Sequence, residues 1–207
     1  MGTFNKDLSE GQKAFFERNA RFMAGLMRIL ESPDGAGVIT RNMATFKTSN
    51  PIKTPEDLVE VALSRYIRPV FKSGGVIVPQ ILCVNPDEWL FVAFSYLGIY
   101  KEIASRPEAD GSPRKVAGLT DVLTGLLYKR GYRIIGLVSG SEGVAGQIAW
   151  VSTCDVNERR MFRRAFLCER GEAVEKQFTW ENYETVFMKT FDSDIWVDRV
   201  AWTGGVN

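Results

Sequence analysis

The segment Asn157–Gly171, NERRMFRRAFLCERG, packs four arginines into six residues and threads apolar side chains between them. Guanidinium groups bind phosphates and carboxylates through paired hydrogen bonds, so this is the residue chemistry of a surface that grips anions or an acidic partner. As a strand, the segment has two equally mixed faces, with Arg159 beside Met161 on one and Arg160 beside Phe162 on the other. As a helix it sorts cleanly. Asp155 can N-cap it with Glu158 as capping-box partner, and Gly171 supplies the stop. Arg159, Arg160, Arg163, Arg164 and Arg170 then fall within a sector of roughly 140°, opposite Met161, Phe162, Ala165 and Cys168. The pattern predicts an arginine-faced helix over 156–170, with Lys129, Arg130 and Arg133 as auxiliary cations.

Three uses compete for such a face: another protein, nucleic-acid phosphates, or carboxylates of the same chain. The net charge of +1 and pI of about 7.6 give no global attraction to nucleic acid. Charge is unevenly spread, however. Residues 113–171 carry ten Lys and Arg against five Asp and Glu, and residues 172–207 carry three against seven, so an internal partner is at hand.

The remaining chemistry is sparse. The chain has no histidine, which removes imidazole acid/base catalysis, Ser/His and Cys/His dyads and His-metal ligation. Three widely spaced cysteines, Cys83, Cys154 and Cys168, suit neither a disulfide framework nor a zinc site, and a reducing cytoplasm is the expected setting. The glycine-rich Ser139–Gly146, SGSEGVAG, matches no phosphate-binding spacing and reads as a hairpin loop. Asp192, Asp194 and Asp198, with Glu181 and Glu184, lack EF-hand spacing and read as a solvated group or a complement to the basic segment. No cofactor and no metal are expected.

The elements that would position these residues follow from caps and periodicity. Ser9 and Gln12 open a helix over 9–31, whose stripe Phe16, Ala20, Met23, Met27, Leu30 packs into the core. Residues 38–47 form an extended segment. Thr54-Pro55-Glu56-Asp57 starts a helix that Pro69 ends near Arg68. VIVPQILCV is a short buried strand. Residues 89–104, WLFVAFSYLGIYKEIA, form a buried helix, their apolar run too short for the ~20 residues of a membrane span. Residues 106–114 are an exposed loop or hinge. A further helix runs from Ser112-Pro113 to a stop at Gly131. Two strands joined by the glycine loop make a hairpin, and a helix from Thr179 and a strand over 195–202 complete the chain.

A single domain over 1–207 is expected, of α+β class: a mainly helical N-terminal two-thirds packed on a small, mostly antiparallel sheet formed largely by the C-terminal third. The N-terminus lacks the basic-then-apolar run of a signal peptide. The functional expectation is a non-catalytic, cytoplasmic protein-binding subunit or regulator of a macromolecular assembly. The alternative is nucleic-acid binding through the 156–170 helix. An enzyme working with Asp, Glu, Cys or Lys is a third class, and it would need a deep cleft.

Overall fold

The computed structural model describes residues 24–85, 88–107, 119–143, 146–158 and 160–176. Residues 24–31 are helical (α1), and Ser32 ends that helix while capping the next, its Oγ accepting from Gly35 N at 3.1 Å. Pro33 at the first position then opens α2, Pro33–Arg41. The extended reading of 38–47 therefore holds only for β1, Met43–Lys47. Ser32-Pro33-Asp34 carries the same cap chemistry as Thr54-Pro55-Glu56, which opens α3, Pro55–Ala62, through a complete capping box with Asp57.

Pro69 does not end that helix. The backbone widens into a π turn over Leu63–Ile67, with Arg68 N–H bonded to the Leu63 carbonyl, and continues as α4, Arg68–Lys72. A proline inside a regular α-helix lacks its N–H and presses on the carbonyl four residues back. The wider turn absorbs both defects.

The next strands are β2, Gln80–Val84, and β3, Leu90–Ser95, and β3 corrects the buried-helix reading of 89–104. Only the second half of that run is helical: Ser95 Oγ accepts from Gly98 N at 3.3 Å and starts α5, Tyr96–Ala104. A run apolar on all sides suits a buried helix and a strand covered on both faces equally well. Helix α6, Leu119–Lys129, ends at Gly131, whose φ of 94° is the left-handed stop. The chain then pleats through β4, Ile134–Gly143, β5, Gly146–Asp155, β6, Arg160–Glu169, and β7, Glu172–Lys176.

Together the described strands form one seven-stranded antiparallel sheet in the order β1-β3-β2-β4-β5-β6-β7. This overturns a sheet built largely from the C-terminal third, because strands are spread from residue 43 to residue 176, three of them before Ser95 ends β3. Helices cover both faces. On one, Leu26 and Leu30 of α1, Val38 and Ile39 of α2, Ile99 of α5 and Leu123 of α6 pack on Ile81, Cys83, Phe94, Ile135 and Leu137. On the other, Leu58, Val59, Ile67 and Phe71 of the α3–α4 stretch pack on Leu82, Phe91, Val138, Val151 and Phe166. The expected C-terminal helix and strand, the acidic group 181–198 and most of the 106–114 loop lie outside the described residues.

Candidate functional site

The arginine segment is a strand. Asp155 does make the predicted capping contacts, its Oδ1 accepting from Asn157 N at 3.0 Å and Glu158 N at 3.1 Å, but they close the turn of a hairpin instead of starting a helix. Register with β5 then sends Arg163, Ala165 and Leu167 to one face of the sheet, and Phe162, Arg164, Phe166 and Cys168 to the other. Both faces are covered near Ala165–Leu167, which are buried, while Arg163 and Arg164 are half-buried toward one end of the strand. Charge and apolarity thus separate along the strand rather than across it, which a comparison of its two faces does not detect.

The expected site residues are not brought together. Arg164 extends over the α3 side, where its guanidinium pairs with Glu175 of β7 and Glu60 of α3 and lies 5.2 Å from the Phe166 ring centroid. Hydrogen bonds to Glu175 push its pKa further up and hold the Glu175 carboxyl below the ordinary range. Arg163 points to the opposite face. Arg170, at φ 54°, and Gly171, at φ 82°, form the two-residue β6–β7 turn, a conformational role that leaves Arg170 exposed. Arg133 donates through Nε to both oxygens of buried Asp155, at 3.1 and 2.9 Å, and pairs with Glu158. Lys129 meets Glu31 at 3.0 Å, and Arg130 is exposed. Arg160 stands opposite Asp155 in the β5–β6 register, and Arg159 lies outside the described residues. Arg164, Arg133 and Lys129 are therefore answered by this chain's own carboxylates.

Two buried thiols are held in the neutral form: burial pushes Cys154 up to about 12 and Cys83 well above its ordinary value. All three cysteines are free. An open depression of about 240 Å³ between residues 48–52 and α3 contains Asp57, Glu60 and Arg65, and is smaller than the ~300 Å³ at which small-molecule sites begin. Its acids are engaged: Asp57 Oδ2 accepts from Lys53 N and Thr54 N, each at 2.9 Å, and Glu60 pairs with Arg164. No group of metal-ligating side chains occurs among the described residues.

The surface that stands out is at the margin of the sheet. All five residues of β1 are exposed, including Met43 at 41% and Phe46 at 43%. Phe46 stacks on Phe91 of β3, ring centroids 5.1 Å apart, and Trp89 and Leu90, where β3 begins, are exposed at 55% and 42%. Pairing with β3 fixes which groups of β1 face outward. Ser95 N donates to Asn42 O and Thr48 N donates to Trp89 O, each at 2.9 Å, so the even-numbered residues bond inward to β3. Met43, Thr45 and Lys47 accordingly turn their N–H and C=O groups away from the sheet. The opposite margin, β7, reads EAVEK, with Glu and Lys along its length. Charged residues block strand addition, and β1 has only Lys47.

MATFK reads in the sequence only as the end of a weakly patterned extended segment, and nothing in it marks a position at the margin of a sheet. No known protein family, curated protein or solved structure matches the chain. No helix among the described residues is long and apolar enough to cross a membrane.

Proposed function

We propose that this chain is a non-catalytic, cytoplasmic protein-binding subunit or regulator of an assembly, and that it takes its partner by strand addition along β1. The observation that carries the reading is that β1, outermost among the described strands, is exposed at every residue and flanked by the exposed side chains of Trp89 and Leu90. Strand addition draws affinity from main-chain hydrogen bonds and specificity from alternate side chains, and β1 offers both. Buried neutral thiols and the engagement of Asp57, Glu60 and Asp155 within the fold support a binding role over a catalytic one. The pairing of Arg164, Arg133 and Lys129 inside the fold favours protein over nucleic acid as the partner.

The test is photo-crosslinking of the full chain in its native host, with p-benzoylphenylalanine in place of Thr45 or, as a control on the opposite margin, of Glu175. A defined protein adduct at position 45, lost on Phe46→Lys and missing at 175, is expected. Equal labelling at both positions, or none at 45, overturns the proposal.

A further inference from the structure

We infer that the strand seated on β1 is the β1 of a second copy of this chain, running antiparallel about a two-fold axis through Thr45. The inference rests on the strand-addition reading and names its occupant. Three observations support it.

The first is register. Met43, Thr45 and Lys47 present the outward N–H and C=O groups, and an antiparallel partner must oppose outward residues with outward residues. A two-fold axis at Thr45 sets Thr45 against Thr45, and Met43 against Lys47 of the second copy at both ends. All three outward residues are then bonded, giving roughly six inter-chain hydrogen bonds, two for each pair. Centring the axis on Ala44 or Phe46 leaves one of the three outside the pairing.

The second is side-chain fit. In that register Phe46 lies opposite Ala44 of the second copy, on the face where it already stacks on Phe91, so the large ring meets the smallest side chain of the strand. Thr45 meets Thr45, a favourable β-branched pair.

The third is charge. The two Lys47 side chains sit at opposite ends of the paired strands and never face each other. Each lies opposite Met43, one residue from Asn42, whose amide hydrogen-bonds the Glu102 carboxylate at 2.7 Å. Glu102 also pairs with Arg41 at 2.6 Å, so the end of the pairing that Lys47 of the second copy meets carries balanced local charge. With a net charge of only +1 per chain, long-range repulsion between copies is negligible.

The experiment is sedimentation equilibrium of the full chain over a concentration series, paired with disulfide trapping of Thr45→Cys under copper-phenanthroline oxidation. Hydrogen-bonded antiparallel pairs have Cα atoms ~5.5 Å apart, within the ~4.4–6.8 Å that a disulfide spans. The mass is expected to rise from 23.2 kDa toward twice that value. Thr45→Cys should trap as a dimer at least tenfold faster than Glu175→Cys. Thr45→Pro deletes an outward N–H that the chain's own sheet does not use, and should leave the protein monomeric, with the melting temperature that the parent shows at concentrations where it too is monomeric. Phe46→Lys provides a second variant should the proline perturb folding, and it too should be monomeric. A chain that stays at 23.2 kDa throughout and does not trap at position 45 overturns the inference. If the photo-crosslinker at 45 still captures a different protein, the strand-addition reading survives alone; if it captures nothing, both fall.

Discussion

Arg164 and Glu175 are diagonal neighbours on β6 and β7, joined by two parallel hydrogen bonds: Nε donates to Oε1 at 2.7 Å and Nη2 donates to Oε2. The same guanidinium reaches Glu60 on α3, so one arginine ties a strand to its neighbour and to the helix above. Charge that reads in the sequence as an outward-facing patch here serves as an internal clasp.

Replacing Arg164 with Ala should therefore lower folding stability, by about 1–3 kcal/mol, from lost charge-assisted hydrogen bonds and from lost packing of its stem and guanidinium over Phe166. Arg130→Ala, at an exposed position, should change it by no more than about 0.5 kcal/mol. Urea denaturation of both variants checks this, and equal midpoints would place Arg164 outside the fold's clasp.

The clasp should also be sensitive to acid. Arg164 holds the Glu175 carboxyl below its ordinary value of 4.5, so the folded state binds that proton less readily than the unfolded chain. Glu175 contributes stability at pH values above its unfolded pKa, and that contribution fades as pH falls through the lowered folded value. Melting temperature measured from pH 6 to pH 3 should fall less steeply for Glu175→Gln than for the parent. Parallel curves would remove Glu175 from the pH response.

Asp155 is 1% exposed and accepts from Arg133 and from two backbone N–H groups of the following turn. Asp155→Ala removes the acceptor of the two turn N–H groups and one of the two carboxylates that hold Arg133, and should cost about 1–3 kcal/mol. Asp155→Asn keeps an acceptor oxygen and should cost less. A calorimetric ranking with the two reversed would contradict the proposed role of the carboxylate.

Two helical-region glycines should respond in opposite directions. A Cβ on Gly35 would lie 2.0 Å from the Ile29 carbonyl oxygen and 2.6 Å from the Leu30 Cα, where α1 and α2 cross, whereas one on Gly25 meets nothing within 4 Å. Gly35→Ala should destabilise by roughly 2 kcal/mol or more through forced backbone movement. Gly25→Ala should stabilise by about 0.5–1 kcal/mol through helix propensity. Thermal melts of the pair decide it.

Much of the local structure was legible. Thr54-Pro55 opened a helix, Gly131 closed one, the two strands around SGSEGVAG paired as a hairpin, although Ser139–Gly143 proved to be strand rather than loop, and Asp155 bound the next two turn amides. The failures share a cause. Leu90–Ser95 packs on helices from both faces, and Ala165–Leu167 are buried on both faces, Phe166 against the α3–α4 stretch and Ala165 and Leu167 with Ile148 and Trp150 of β5, so neither strand shows the alternation that marks a half-buried strand. Periodicity reports burial on one side of an element, and its signal weakens when both sides are buried. Met43 and Phe46 were hidden for another reason: MATFK carries only a weak pattern, and its exposure depends on where the sheet ends.

What the sequence determined by itself were local marks such as the Thr54 cap and the left-handed Gly131 stop, because they act through bonds spanning only a few residues. It also determined the chemistry withheld, since a chain without histidine has no imidazole to use. Tertiary structure alone decided whether an apolar run became strand or helix, which carboxylates answered Arg164 and Arg133, and which strand was left at the margin. Those outcomes depend on partners far apart in the chain, such as Glu60 with Arg164, Arg133 with Asp155, and Met43 with Phe94, and pairings of that range arise only when the whole sheet closes.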